Sequence, residues 1–348
     1  MVKDGSITED HVDRMIRRII TPYLYFYQDR VDYPEPDPSM GYTFAAWSNA
    51  LQYLPSPPPK IRDVRGDRDK FIRKLGAEST GLLKNVKSTL PLKAPSTIRV
   101  FGNDAGDPSQ GLIVMRQYEI GTLPLGGGAG DVLWGDVNPS GRLPYSIVRD
   151  LKDYDIPIVN FTESDVTSPN AWQANFTEGQ IIDYRRLDAD GTKPLFEFGL
   201  GLSYTTFSTS KKPTVNKPVA PPSPKPDTSL AVQAGGNREL WTPIIRVKAS
   251  ISNAGSKAGS AVPQLYVSLP KDTTPKGTPE RVLRGFEKVH LKPGQSREVT
   301  FELLRRDISF WDTTAQQWGL PKGKIKLAAG FSSRDLRAKT KLSLRLVN

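Results

Sequence analysis

Apolar positions keep helical spacing near the start of this chain and strand spacing near its end. Val12, Met15, Ile16, Ile19, Ile20 and Tyr23 recur at three- and four-residue steps, which predicts an amphipathic helix of about four turns. Ser6 and Glu9 stand three apart just before it, the spacing of a capping box. Pro34, Pro36, Pro38, Pro55, Pro57, Pro58 and Pro59 then break all periodicity and predict an extended linker, stiff in patches. Helical spacing returns through Phe71, Leu75, Leu82 and Leu83, weakened by Gly76 and Gly81. Residues 97–101 read as a short buried strand entering a Gly-Asn turn, so a strand follows a helix as an α/β layer requires.

Lys211 to Pro226 is rich in proline and lysine and predicts a semi-rigid tether. Beyond it the period is two. Ile245, Val247, Ala249 and Ile251 alternate with Arg246, Lys248 and Ser250, and Asn253-Ala-Gly closes a turn. Leu265 with Val267, then Val299, Phe301 and Leu303, then Ile325 and Leu327 repeat the pattern, with Lys292-Pro-Gly and Pro321-Lys-Gly as turns. Short strands with Gly/Pro turns and no cysteine predict a fibronectin-like sandwich.

With 348 residues and 37% hydrophobic content, the chain can bury core in two or three domains. The absence of cysteine excludes disulfides and thiolate metal sites. His11 and His290 are too few for a histidine metal cluster, and no cofactor or metal is expected. Net charge is +11, from 48 basic and 37 acidic side chains. The basic residues are nevertheless spread: Asp63, Asp67 and Asp69 interrupt the run from Arg62 to Lys74, and aromatics do not interleave with it as a stacking groove would. A solvated basic surface is the expectation, with no nucleic acid and no membrane as partner, since no run approaches the roughly 20 apolar residues of a span. The opening Met-Val-Lys-Asp-Gly-Ser lacks the apolar stretch of a secretory signal. Asn160-Phe-Thr and Asn175-Phe-Thr are glycosylation acceptors if the protein is secreted, whereas the proline in Asn138-Pro-Ser disqualifies that triplet.

Gly126 to Gly130 could cradle a phosphate, but neither a following Lys-Ser/Thr nor a dinucleotide fingerprint completes that motif. The carboxylates near recognisable motifs are Asp104, Glu119, Asp136, Glu178, Asp183 and Glu197, for which turn and packing roles are expected. Tyr184, Phe196, Phe198, Tyr204 and Phe207 are expected in core rather than on a sugar platform. Trp311 and Trp318 could stack on sugar, although as core or lid aromatics they need no ligand. No catalytic or substrate-binding residue is assigned.

The run Pro194-Leu-Phe-Glu-Phe-Gly-Leu-Gly-Leu-Ser-Tyr-Thr-Thr-Phe207 packs aromatics around Gly199 and Gly201 and reads as a tight joint. It resembles the segment closing the second domain of fungal β-glucosidases of glycoside hydrolase family 3. Asp131 to Tyr145, Asn175 to Arg185 and Ile98 to Gly106 resemble other parts of that domain. Pro263 to Ser268, Arg281 to Phe286 and Leu304 to Asp307 resemble its C-terminal fibronectin-type module. Gly121-Thr-Leu-Pro-Leu-Gly-Gly-Gly-Ala-Gly130 is similar to a family loop, with Gly127 where a Trp and Ala129 where a Ser that line the sugar pocket are expected.

The resemblance implies a multidomain α+β protein: the remnant of an α/β sandwich domain followed by a fibronectin type III-like all-β sandwich. Residues 1–30 would be the remnant C-terminal helix of a barrel domain and 31–60 a Pro-rich linker. Residues 61–210 would form the truncated α/β sandwich domain, 211–226 a Pro/Lys-rich linker and 227–348 the fibronectin type III-like domain. The implied activity is retaining hydrolysis of terminal β-D-glucosyl residues from a β-glucoside or β-glucan, and the implied location is secreted. Such chemistry needs two carboxyl groups about 5 to 5.5 Å apart. In the family one stands on the barrel and the other on a loop in the stretch missing after Gly130, so this chain is expected to be inactive. The alternatives are a noncatalytic carbohydrate-binding or scaffold remnant, or a faulty gene model. The apolar stripe of the first helix could pack on the next domain or mediate self-association.

Overall fold

The computed structural model describes residues 2–33, 66–99, 128–154, 177–218 and 220–347. These fall in two compact units, one holding the first helix and the other every described residue from Asp67 onward. Asn160 and Asn175 lie outside the described residues, as do Asp104, Glu119, Gly127 and the Pro-rich stretch from Pro34.

The first unit's helix, α1 (Glu9–Tyr25), is the one its apolar spacing predicts, and it buries none of its residues. Its cap differs from the expected capping box. Thr8 is the N-cap and its Oγ1 accepts the His11 N–H, while the Ser6 hydroxyl is held by Asp4. The nearer oxygen, already in extended backbone, satisfies the orphan donor.

In the second unit α2 (Arg68–Ser79) takes Phe71 and Leu75 of the predicted helical spacing but ends before Leu82 and Leu83, Leu82 pairing instead with Leu202 in a β-bridge, and residues 128–134 form α3. A Cβ on Gly128 would stand 2.3 Å from the Ala77 nitrogen, so this glycine serves close packing of α3 on α2, not a phosphate. Residues 97–99 carry no strand, and Val100 and Phe101 lie outside the described residues. α4 (Tyr184–Ala189) follows. Upstream of Phe207, β pairing among the described residues consists of the bridges Leu82↔Leu202 and Ile147↔Phe196.

The sandwich begins earlier than the aliphatic alternation predicts. β1 (Phe207–Thr209) and β2 (Thr214–Asn216) come first, then the short ribbon of β3 (Val232–Gln233) and β4 (Gly236–Asn237), then β5 (Pro243–Asn253). β1 and β2 both pair antiparallel with β5, whose Ile245, Val247, Ala249 and Ile251 point inward. The expected tether 211–226 is thus corrected: part of it is a sheet strand, and the carbonyls of Pro222, Ser223 and Pro224 accept hydrogen bonds from Val347 N, Arg305 Nη2 and Leu320 N. Proline removes donors but leaves acceptors, which the sandwich uses.

β6 (Gly259–Ala261), β7 (Gln264–Ser268), β8 (Val282–Phe286), β9 (Val289–Leu291) and β10 (Ser296–Leu304) follow. The hairpin β11 (Phe310–Asp312) with β12 (Gln317–Gly319) and the pair β13 (Lys324–Gly330) and β14 (Leu336–Ser343) complete the fold. β10 lies on the other side of β5, and the facing sheet runs β14-β13-β7-β8. Between them Val247, Phe301, Leu303, Leu265, Leu327 and Leu342 form one core with their neighbours. Each such fully buried side chain contributes about 1.5 to 3 kcal/mol relative to exposure. Gly294 and Gly323 take the positive φ their predicted turns require.

Candidate functional site

The aromatic joint is where the α/β remnant is fastened to the sandwich. Gly199 has φ +81, and a Cβ there would fall 2.3 Å from Gln264 Oε1 on β7. The buried Gln264 donates through Nε2 to the carbonyls of Gly199 and Phe331, both at 3.0 Å, and accepts from Tyr266 Oη. Phe207 joins the sandwich core, and Phe198 stacks on Tyr184 with ring centroids 4.6 Å apart. Packing is therefore the role of these rings, as expected from the sequence.

The described carboxylates singled out in the sequence serve the same scaffold. Asp183 accepts from the Ser146 N–H at 2.7 Å, and Glu197 accepts from the Ser332 hydroxyl at 2.9 Å. Asp136 is exposed in the turn after α3. Glu178 instead stands in the wall of a cleft described below.

Asp188, which no sequence pattern singles out, is the most buried acid at the junction, with a side chain 1% exposed. Arg281 Nε lies 2.8 Å from its Oδ2, and Arg334 contacts its Oδ1. Burial pushes the Asp188 carboxyl above its ordinary range, while the two guanidiniums pull it back down. Tyr184 Oη, four residues earlier on α4, accepts the Leu283 N–H of β8. Its phenol is pushed up by burial.

The cleft occupies about 500 Å³ where residues 178–181 approach the β11–β12 hairpin and β8. Trp311 and Trp318 are direct cross-strand partners and therefore share one face of that hairpin, with centroids 5.8 Å apart and planes at 75°. Such edge-to-face pairs add about 0.5 to 1.5 kcal/mol beyond area burial, which helps hold a two-stranded ribbon. The loop is braced by Asp312, whose Oδ1 accepts from Thr314 N and Ala315 N. Arg284 and Asp307 face one another in the wall at 3.8 Å. Asp307 Oδ2 is occupied by the Leu304 N–H, and the buried Arg284 Nε has no hydrogen-bond acceptor among the described residues. Burial draws the Arg284 guanidinium below its ordinary range, opposed by Asp307. The paired tryptophans are legible in the sequence. Glu178 is singled out there as a turn carboxylate, but its meeting with Arg284 and Asp307 is not, because three distant segments bring them together. Among the described residues no group of three or more His, Cys, Asp or Glu could hold a metal ion, and no helix is long and apolar enough to cross a membrane.

Residues 124–204 match the glycosyl hydrolase family 3 C-terminal domain, and residues 261–333 match the fibronectin type III-like domain. A protein of Aspergillus terreus named "Probable beta-glucosidase G" is 36% identical over an alignment that takes in 97% of this chain. This chain belongs to glycosyl hydrolase family 3. Another family 3 relative, "Probable beta-glucosidase D" of Emericella nidulans, is 48% identical over 60% of the chain and 23% of its own length. The solved Beta-D-glucoside glucohydrolase from Trichoderma reesei shares 39% identity with a TM-score of 0.57, over 65% of this chain and 29% of that one. A family 3 beta-glucosidase from Neurospora crassa gives a TM-score of 0.54 at 29% identity, over 63% and 34%. The chain spans 56% of the length of the Aspergillus terreus protein. That alignment has 467 positions, more than the 348 residues of the whole chain, so many positions of the relative have no counterpart inside this family 3 chain.

Proposed function

We propose that this chain derives from a β-glucosidase that removes terminal β-D-glucosyl residues from β-glucosides or β-glucans with retention, and that the polypeptide itself turns over little or no glycoside. The observation that carries the reading is the many positions of the relative with no counterpart here. In the family the acid/base carboxylate stands on a second-domain loop, and the resemblance implies that this loop is among those positions. Retaining hydrolysis needs a second carboxyl group about 5 to 5.5 Å from the first. The surviving acids give further support, since Asp183 and Glu197 spend their oxygens on Ser146 and Ser332. The same derivation implies a secreted protein with glycans on Asn160 and Asn175.

The test is hydrolysis of an aryl β-glucoside by purified protein, run beside a mock purification from cells lacking the gene. No release above the mock preparation is expected. Release that tracks the purified chain and shows retained anomeric configuration refutes the loss of turnover while leaving the family assignment intact.

A further inference from the structure

We propose that the cleft between residues 178–181 and the Trp311–Trp318 hairpin is a noncatalytic binding site for a neutral, β-linked, gluco-configured oligosaccharide. Its size is that of small-ligand sites, which run to about 300 to 1,000 Å³. Its lining sets Phe310, Trp311 and Trp318 among polar side chains, so ring faces for contact stand beside hydrogen-bonding groups for orientation. Trp311 is 40% exposed beside the Trp318 ring and lines the cleft, so part of its indole is open to a ligand there.

An all-equatorial pyranose offers a flat C–H face on each side and hydroxyls around its rim. One face can lie on the Trp311 indole while Trp318, tilted at 75°, closes the side of the ring. The rim then meets the Arg284 guanidinium and the Asp307 and Glu178 carboxylates, which line the cleft and can exchange hydrogen bonds with ring hydroxyls. The charge pattern favours a neutral sugar over an acidic one. Lys276, Arg284 and Arg306 stand against Glu178 and Asp307 in the lining, Arg284 is opposed by Asp307 and Arg306 lies over the Trp241 ring at 4.4 Å, so the wall carries only a small positive excess. The site does not depend on turnover, and Asp307 spends its Oδ2 on the Leu304 N–H.

The experiment is affinity electrophoresis of the full chain through gels containing laminarin, with cellohexaose as soluble competitor and polygalacturonate as the acidic control. Retardation by laminarin is expected, relieved by cellohexaose, with affinity falling at least tenfold in Trp311→Ala. Trp311→Phe, which keeps a ring, should retain most of the binding, and Lys341→Ala on β14, at the opposite edge of the sheet from β8, should match the unaltered chain. Tryptophan fluorescence of the unaltered chain should become less accessible to acrylamide when laminarin is added. No retardation and no protection, or retardation that Trp311→Ala leaves unchanged, overturns the site. Stronger retardation by polygalacturonate than by laminarin overturns the neutral assignment. Because aryl glucoside release is not read, a failure here leaves the proposed loss of turnover untouched.

Discussion

Asp188 on α4 and Arg281 just ahead of β8 meet across the junction of the two family 3 domains with Oδ2 and Nε 2.8 Å apart. Arg334, from the loop between β13 and β14, closes on the other oxygen of the same carboxylate. One acid therefore holds two separate parts of the sandwich edge against one short helix. Removing a buried partner leaves Arg281 and Arg334 with carbonyl acceptors, on Ser333 and Thr192, but no opposing charge, which costs about 3 kcal/mol or more. Asp188→Ala is expected to lower unfolding stability by about that amount, read as a shift in the urea midpoint. The exposed pair Arg246–Glu302, at 2.8 Å on β5 and β10, gives the contrast. Glu302→Gln should cost less than about 1 kcal/mol. Equal losses in the two variants would falsify the clamp.

Gly199 is the second fastening point, and its requirement is steric. Alanine there meets φ +81 and the Gln264 amide at once. The left-handed backbone alone costs about 1 kcal/mol or more, and displacing Gln264 breaks hydrogen bonds to two carbonyls. Gly199→Ala is expected to destabilise by about 2 to 4 kcal/mol. Gly277→Ala also takes positive φ, but has open space, and should cost only the backbone share. Calorimetric melting of both variants separates the two contributions.

Much of this architecture could be read from the residues. β5 announced itself because Ile245, Val247, Ala249 and Ile251 alternate with polar neighbours, and one face of the sheet is buried. α1 was equally legible, except that Thr8 rather than Ser6 caps it, a competition between two hydroxyls that spacing does not decide. The proline-rich segment was misread for a physical reason. Its order comes from carbonyls accepting bonds from Leu320, Arg305 and Val347, and no local pattern records an acceptor's distant donor. The cleft shows the same divide: Trp311 and Trp318 stand out by type, whereas Arg284 and Glu178 meet only when the chain folds back.

The ion pairs of the second unit predict acid sensitivity. Glu78 is held below the ordinary glutamate range by its hydrogen bond to Lys288, Asp131 is held down by Arg73, and Glu280 by Lys271. A carboxyl whose folded value is lowered adds stability that is complete above its unfolded value, near pH 4, and lost as pH falls through the folded value. Asp188, raised by burial, has the opposite sign, its contribution declining as pH rises through the raised value. Acid loss must therefore come from the lowered carboxyls, which also include Asp227, held down by its hydrogen bond to Ser229. The urea midpoint is expected to fall as pH drops below about 4, and Glu78→Gln should flatten that dependence. A Glu78→Gln profile that superimposes on the unaltered one removes the Glu78–Lys288 contact from the account.

Where the sandwich starts has a measurable consequence. Counting from the lysine-proline run puts its first residue at 227, but β1 and β2 supply β5 with partners along the edge that β10 does not occupy. Phe207 sits in the core, and Thr205 Oγ1 donates to Asn253, a 1% exposed side chain that also binds the Lys257 and Leu291 carbonyls. A fragment of residues 203–348 keeps all of these contacts, whereas one of residues 227–348 keeps the Asn253 bonds to Lys257 and Leu291 but loses Phe207, the Thr205–Asn253 bond and both β1 and β2, and bares the flank of β5. Loss of a buried phenylalanine alone costs about 3 to 5 kcal/mol, and an unpaired hydrophobic edge invites association. The longer fragment is expected to unfold in one cooperative urea transition as a monomer. The shorter should unfold at markedly lower urea or sediment as aggregates, and matching midpoints for the two fragments would return the boundary to residue 227.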